Sequence, residues 1–354
     1  MTSTPFSSTF AGRKVLVTGH TGFCGSWLSM WLRDLGADVY GFSRAPITDP
    51  ALFDLLPGWD DGHSIIGDIE DFDALNKAVQ TVQPEIIFHL AAQALVRESY
   101  ADTLGTYRTN VIGTANLLEA VRHCATVRAT VAITTDKVYE NREWVHPYRE
   151  GDELGGKDPY SASKAASELV ISSYRRTVLD GSKTLVASAR GGNIIGGGDW
   201  SADRLLPDIV RAIQSGSTLH LRNPNATRPW QHVLALCHGY LQLGSALVEK
   251  GAPAASAWNF GPTDNTVMTT SEIVDAFGQH WKRPNVEVEA SQLIEAQQLA
   301  LDSTKARVEL GWKPGWNTTE TIEKTVEWYA AFDKGADVHK LCAAQLAEYC
   351  ARIA

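Results

Sequence analysis

Lys14-Val-Leu-Val-Thr18, followed at once by Gly19-His20-Thr21-Gly22-Phe23-Cys24-Gly25, is the stretch on which the reading of this chain turns. The first five residues form a short apolar, β-branched run, the pattern of a buried strand. Behind the glycines, Ser26 to Leu35 reads as a helix that stops at Gly36, and Asp38 to Phe42 reads as a second strand. Strand, glycine turn, helix, strand is the context in which a glycine motif indicates a dinucleotide site. Glycines let the backbone approach a pyrophosphate, and the helix N-terminus offers it free N–H groups. The spacing is Gly-x-x-Gly-x-x-Gly, and a turn that needs glycine for backbone reasons alone is the alternative. An acidic residue after the second strand would hold the ribose hydroxyls of NAD. This chain has Ser43-Arg44 there. Arg44 either meets a 2′-phosphate, as in NADP sites, or is a solvated loop charge.

The alternation continues outward. Ser64 to Gly67, Glu85 to Leu90, Ala129 to Thr134 and Leu185 to Arg190 read as strands. Asp71 to Gln80, Thr109 to His123 and Tyr160 to Tyr174 read as helices. This rhythm predicts an α/β fold: a Rossmann-type doubly wound parallel sheet with a smaller mixed α/β C-terminal substrate domain. The expected boundaries are a dinucleotide domain over 1–190 with a return segment near 230–262, and a substrate domain over 191–229 and 263–354. Asp68-Ile69 offers an adenine contact. The small residues after Leu90 suit a backbone lying against a cofactor, or equally a tight helix start.

Beyond Arg190 lie a glycine-dense loop (Gly191 to Trp200), a helix from Leu206 to Gln214, and two arginines in short loops, Arg222 and Arg228. A guanidinium suits an anionic ligand bidentately; a surface ion pair is the alternative for each.

The chemistry concentrates between Thr135 and Lys164. Tyr160 and Lys164 are one helical turn apart, which puts both on one face. A cation beside a phenol stabilises phenolate and makes Tyr a usable base. Asp136 and Lys137 follow the Ala129–Thr134 strand, at the carboxyl end where open α/β sheets place their sites.

Composition excludes several classes. The chain has 354 residues, 44% hydrophobic, with a net charge of −9 and no Lys/Arg-rich run, which argues against nucleic acid or an anionic membrane as partner. No signal peptide and no membrane-length apolar run is visible. Five scattered cysteines and ten histidines show no ligand spacing, so no metal is expected, and a reduced, cytoplasmic protein is.

The glycine turn, Tyr160-x-x-x-Lys164 and the segment Asp302-Ser-x-Lys-Ala to Leu310-Gly-Trp-x-Pro314 resemble the extended short-chain dehydrogenase/reductases acting on nucleotide sugars. So do Val17 to Leu28, Ala91-Ala-Gln-x-Leu-Val-Arg97, Asp136 to Trp144, Gly191 to Trp200, Arg222-Asn-Pro224 and Arg228 to Val233. Cys24, where that family usually carries Lys, and Arg44 are departures. The resemblance implies a 4,6-dehydration with CDP-glucose as the nucleotide sugar, NAD as cofactor (NADP is left open by Arg44) and a homodimer or higher homo-oligomer. It implies cofactor contacts from Gly19, His20, Thr21, Gly22, Phe23, Gly25, Ser43, Arg44, Asp68, Ile69, Leu90, Ala91, Ala92, Gln93, Thr109, Tyr160 and Lys164. Substrate contacts would come from Gln93, Arg97, Asn193, Arg204, Leu205, Arg222, Arg228 and His232. The catalytic set would be Thr135, Asp136, Lys137, Tyr160 and Lys164. In it Tyr160, assisted by Lys164, takes the 4-hydroxyl proton, a neutral Lys137 takes the proton on carbon 5, a protonated Asp136 serves the leaving 6-hydroxyl, and Thr135 binds near the 4-hydroxyl. A 4-epimerase or reductase would need only Tyr160 and Lys164, and a non-catalytic dinucleotide sensor neither.

Overall fold

Val15, Leu16 and Val17 are fully buried, and so are Ile86, Ile87 and Phe88. Near-continuous apolar runs of this kind belong to strands covered on both faces. The computed structural model describes residues 6–59, 62–221, 223–262, 268–289 and 299–354. In chain order the strands are β1 (Lys14–Thr18), β2 (Asp38–Ser43), β3 (Ser64–Ile66), β4 (Ile86–His89), β5 (Ala129–Ile133), β6 (Leu185–Gly191), β7 (Ile194–Ile195), β8 (Thr218–Leu221), β9 (Thr227–Arg228), β10 (Gln231–His232), β11 (Ala257–Phe260), β12 (Met268–Thr269) and β13 (Asn285–Val288). Seven of them form one sheet in the order β11-β6-β5-β4-β1-β2-β3, every neighbouring pair parallel. The strand order reverses between β1 and β4, the topological switch point at which open α/β sheets bind ligands.

The pleat sorts β1 between two apolar layers. Val15 and Val17 join the cluster with Trp27, Trp31 and Leu234, while Leu16 joins Phe42, Leu75 and Leu117 on the opposite face. The helices Phe23–Asp34 and Val233–Glu249 therefore cover one face, and Phe72–Val82 and Gly113–Arg122 the other.

Residues 191–232 and 268–354 carry three two-stranded pairs, β10-β7, β12-β9 and β13-β8, and the helices Leu205–Ser215, Thr270–His280, Thr318–Asp333 and Val338–Ile353. Their Leu206, Phe277 and Tyr329 belong to the same cluster as Trp27, so one apolar core is continuous across both parts.

Two boundaries differ from the sequence expectation. The helix behind the glycine turn begins at Phe23, not Ser26, with Gly22 as its N-cap; the third glycine is inside the helix. The expected helix over Thr109–His123 is a π turn at Arg108–Ile112 followed by Gly113–Arg122, and two short helices that the sequence did not indicate, Val96–Ala101 and Thr103–Tyr107, precede it. The Asp102 carboxylate accepts from the Gly105 N–H at 2.9 Å and starts the second of these after a break.

Candidate active site

Gly19 closes β1 with a φ of +78°, and a Cβ there would lie 2.7 Å from the Ala91 nitrogen. The chain leaving β1 thus runs against the chain leaving β4, and only glycine fits. At Gly25 a Cβ would lie 2.1 Å from the Gly19 carbonyl oxygen. Gly22 is different: a Cβ there would meet only that oxygen, at 3.4 Å. The turn is tied to β2 by the Thr21 hydroxyl, 2.9 Å from both Ser43 Oγ and the Arg44 carbonyl oxygen. Arg44 itself is exposed.

Several expected cofactor contacts have side chains turned elsewhere. His20 is buried against Gly41 and Trp59, with Nε2 2.8 Å from Ser64 Oγ, and burial lowers its pKa to about 4. It braces the turn through its ring and faces the site with its backbone alone. Ile69 is a core residue packed on Gly113. The Thr109 hydroxyl donates to Glu70, and the Asp68 carboxylate accepts from the Glu70 N–H at 2.9 Å. Phe23 packs towards Gly196. Gly25→Ala is accordingly expected to lower the melting temperature by tens of degrees or prevent folding, whereas Gly22→Ala should melt like the parent; thermal denaturation by circular dichroism checks both.

β5 ends at Ile133, and Thr135 caps a single 3₁₀ turn, Asp136–Val138, its hydroxyl 3.4 Å from the Lys137 N–H. Adjacent strand residues would point to opposite faces. The turn instead brings Asp136 and Lys137 together, with Nζ 3.3 Å from Oδ1. The same oxygen accepts from the Thr135 hydroxyl at 3.0 Å. Asp136 is 2% exposed and the Lys137 side chain 28%, so the amine is the more open of the two.

Tyr160 and Lys164 stand on the helix Pro159–Ser173, started by an Asp158 cap and a proline at its first position. Both are buried, and with Thr135, Asp136 and Lys137 they line one cavity of about 590 Å³. Burial pushes the Tyr160 phenol above its ordinary range; the Lys137 charge, a hydrogen bond with Thr135 and the Arg204 charge pull it back, and Asp136 opposes them. The expected cation beside the phenol was Lys164. In the fold Lys164 Nζ donates to the Ile133 carbonyl at 3.0 Å, and the Lys137 and Arg204 charges also favour the phenolate. Burial lowers Lys164 to about 8, with Glu168 opposing.

Leu90, Ala92, Arg97, Asn193, Arg204 and Leu205 also line this cavity, and so does Cys24. Arg97 is ion-paired to Asp203 at 2.8 Å and Arg204 to Asp199 at 3.1 Å, so two arginines in the wall are held by aspartates of one loop. Two expected substrate contacts are placed otherwise. The Gln93 amide donates to Thr106 Oγ1 at 2.8 Å and to the Leu95 carbonyl at 3.1 Å, which closes its own loop. His232 is 1% exposed, accepts from the Leu234 N–H at Nδ1 and packs on Trp316; it caps the next helix from inside the core. Arg222 and the side chain of Arg228 lie outside the described residues; the Arg228 backbone pairs with Met268.

Sequence reasoning passed over Glu168 and Arg190, which meet behind the site at 2.9 Å. A Glu one turn after Lys164 on an otherwise small-residue helix was the available signal. Asp199 and Asp203 were also missed; loop aspartates carry no such spacing. Among the described residues no group of acidic, His or Cys side chains is arranged to hold a metal, and no helix is long and apolar enough to cross a membrane.

Residues 16–325 match the family described as GDP-mannose 4,6 dehydratase. The chain is similar to the CDP-glucose 4,6-dehydratase of Salmonella typhimurium, 44% identical with 96% of each chain covered. It is similar at 29% identity to a UDP-glucose 4-epimerase of Mycolicibacterium smegmatis, over 89% of this chain and 98% of the other. The crystal structure of DesIV, a dTDP-glucose 4,6-dehydratase from Streptomyces venezuelae with NAD and TYD bound, superposes with a TM-score of 0.75 at 27% identity, covering 89% of this chain and 96% of the other.

Proposed function

This chain belongs to the GDP-mannose 4,6 dehydratase family, and from that premise we propose that it is a nucleotide-sugar 4,6-dehydratase using NAD, with CDP-glucose as its substrate. One observation carries the reading. Asp136 and Lys137 share a turn that opens on the same cavity as Tyr160 and Lys164. An epimerase or reductase has no task for that pair; an elimination needs a base and an acid placed together. The 44% identity to the Salmonella protein supports cytidine as the base.

The residues present fit a dinucleotide. The helix after the glycine turn has no side-chain cap on its first N–H groups, and Gly22 leaves open space in front of them. The backbone of residues 19–25, Ser43, and the ends of β1 and β4 would hold the cofactor. When bound, NAD supplies a hydride acceptor for carbon 4 and the donor that later serves carbon 6. Tyr160, as phenolate, takes the proton of the 4-hydroxyl, with the Thr135 hydroxyl hydrogen-bonding at that oxygen. The ketone so formed acidifies the proton on carbon 5. Lys137 and Asp136 are 3.3 Å apart, so one proton moved from Nζ to Oδ1 converts the ion pair into a neutral amine and a carboxylic acid. Lys137 then takes the carbon 5 proton while Asp136 gives its own to the leaving 6-hydroxyl, and the pair is restored with its charges exchanged back. Arg97 and Arg204 suit the diphosphate. A division of labour between 1–190 with 230–262 for the cofactor and 191–229 with 263–354 for the sugar nucleotide belongs to the same proposal, as does a homo-oligomer: Leu104, Ile112 and Leu169 stand exposed on adjacent helices.

Incubation with CDP-, dTDP-, GDP- and UDP-glucose, read by mass spectrometry, tests the reading. Loss of one water from CDP-glucose in preference to the others is expected; unchanged mass with an isomerised sugar would give the protein to the epimerases. Titration of cofactor-free protein should show NAD binding more tightly than NADP, even though Arg44 offers a 2′-phosphate a charge-assisted hydrogen bond of about 1.5–3 kcal/mol. Tighter NADP binding would reverse the cofactor assignment. Gly22→Ala, which the turn itself tolerates, should weaken NAD by at least about tenfold because a methyl group then stands where the pyrophosphate approaches.

A further inference from the structure

Behind the cavity Glu168 and Arg190 form an ion pair in which each residue is 3% exposed. A buried pair is a weak source of stability, since well-packed apolar residues of the same volume often do as well. What this pair holds is specific. One Glu168 oxygen accepts from the Thr134 hydroxyl at 2.6 Å; the other accepts from Ser188 Oγ at 2.8 Å and Arg190 at 2.9 Å. The second terminal nitrogen of Arg190 donates to the Tyr139 hydroxyl at 2.7 Å, which in turn donates to Asn259 Oδ1 at 2.7 Å.

Thr134 is the residue before Thr135, and Tyr139 is the first residue after the 3₁₀ turn Asp136–Val138. Glu168 stands one turn beyond Lys164 on the helix that also carries Tyr160. The geometry points to Glu168 and Arg190 as positioning residues that clamp both ends of the turn bearing Thr135, Asp136 and Lys137 to the helix bearing Tyr160 and Lys164. Neither touches the reacting atoms. Each end of the turn receives one charge-assisted side-chain hydrogen bond from the pair, added to the backbone bonds from Thr134 N–H to Ala189 and from Gly155 N–H to Val138, so the pair bears on the spacing between the elimination pair and the phenol. Lys164 also ties the helix to the Ile133 carbonyl at the end of β5, but Glu168 and Arg190 reach the turn at both its ends and the helix as well.

The inference rests on the reading of those residues as the reacting groups, and its test is separable from that reading. Steady-state dehydration of CDP-glucose is measured for the double variant Glu168→Leu/Arg190→Met, which removes both charges and keeps the site filled. Displacement of reacting groups by about 1 Å is enough to cost about a hundredfold in rate. The variant is expected to lose about that much kcat while KM stays within about threefold and the melting temperature stays within a few degrees. Thr134→Val removes one bond of the clamp with no change of shape and is expected to lower kcat by about tenfold; Thr134→Ser keeps the hydroxyl and should restore it to within about threefold. The Thr134 pair decides by itself where the double variant does not fold. Undiminished kcat in a stable double variant or in Thr134→Val, or a loss of kcat that only follows the melting temperature, would overturn the clamp. A wild-type protein that removes no water from any nucleotide sugar would instead sink the proposed function and leave the clamp without a reaction to serve.

Discussion

Tyr160→Phe should leave the protein folded and lower its dehydration rate by at least about a hundredfold, the lower end of what a positioned general base contributes. The ring is buried and stays so as phenylalanine; only the oxygen goes. That oxygen sits where burial disfavours its charge and Lys137, Thr135 and Arg204 partly restore it. The base form is the phenolate, so a raised pKa makes it scarce at neutral pH. In the wild type kcat/KM is therefore expected to rise with pH through the alkaline range. The variant should lose both the rate and this rising limb. Melting temperature and NAD affinity, followed by fluorescence, serve as controls: they should match the parent. A variant with near-parent turnover and an unchanged pH profile would remove Tyr160 from the proton path and transfer the role to another group in the cavity.

The parts of the molecule that were legible in the sequence are those where one physical demand acts alone. β1, β4 and β5 carry unbroken apolar runs because both faces of a parallel sheet are covered, and these strands fell within a residue or two of their expected ends. The close approach at Gly19 was legible for a related reason: a tight turn after a strand leaves little choice of residue. Where two demands compete, the sequence pattern misleads. His232 follows Arg228-Pro-Trp and looked like a ligand contact, but it is the cap of the Val233–Glu249 helix, and its Nδ1 satisfies the Leu234 N–H. His20, inside the glycine motif, is needed by the sheet rim it packs on. Gln93 lies in a segment that has to turn sharply after β4, and its amide builds that turn. The Val96–Ala101 and Thr103–Tyr107 helices are too short to show a period and could not be separated from loop. Lys164 is the most instructive case. Its spacing from Tyr160 places both on the wall of one cavity, but that its Nζ is engaged by the Ile133 carbonyl at the end of β5 is a tertiary fact that no local spacing carries.

Lys137→Met is expected to separate the reaction into halves. Both members of the pair stand on the 3₁₀ turn, and the amine is the more open, suited to reach a proton on carbon 5. Met keeps the length and much of the packing of the lysine stem but cannot take a proton. Oxidation at carbon 4 depends on Tyr160, so it should still occur, weakened by the loss of one cation near the phenol. Elimination should fall by about a hundredfold or more, in line with the loss of a general base. The signature is a reduced-nicotinamide absorbance that appears on addition of substrate and persists, with little water lost by mass spectrometry. Asp136→Asn acts on the same step from the other side. An amide can accept the Thr135 hydrogen bond but has no proton to give the departing 6-hydroxyl, and it no longer takes one from Lys137 across their 3.3 Å contact. Because both variants block one proton transfer within one pair, combining them should cost little more than either alone, as residues that act as a unit do. A surface ion pair would behave in the opposite way, with small effects that add. Dehydration at the parent rate in either single variant, or full additivity in the double, would show that the protons travel through other groups, and the 4-epimerase reading of the cavity would regain its standing.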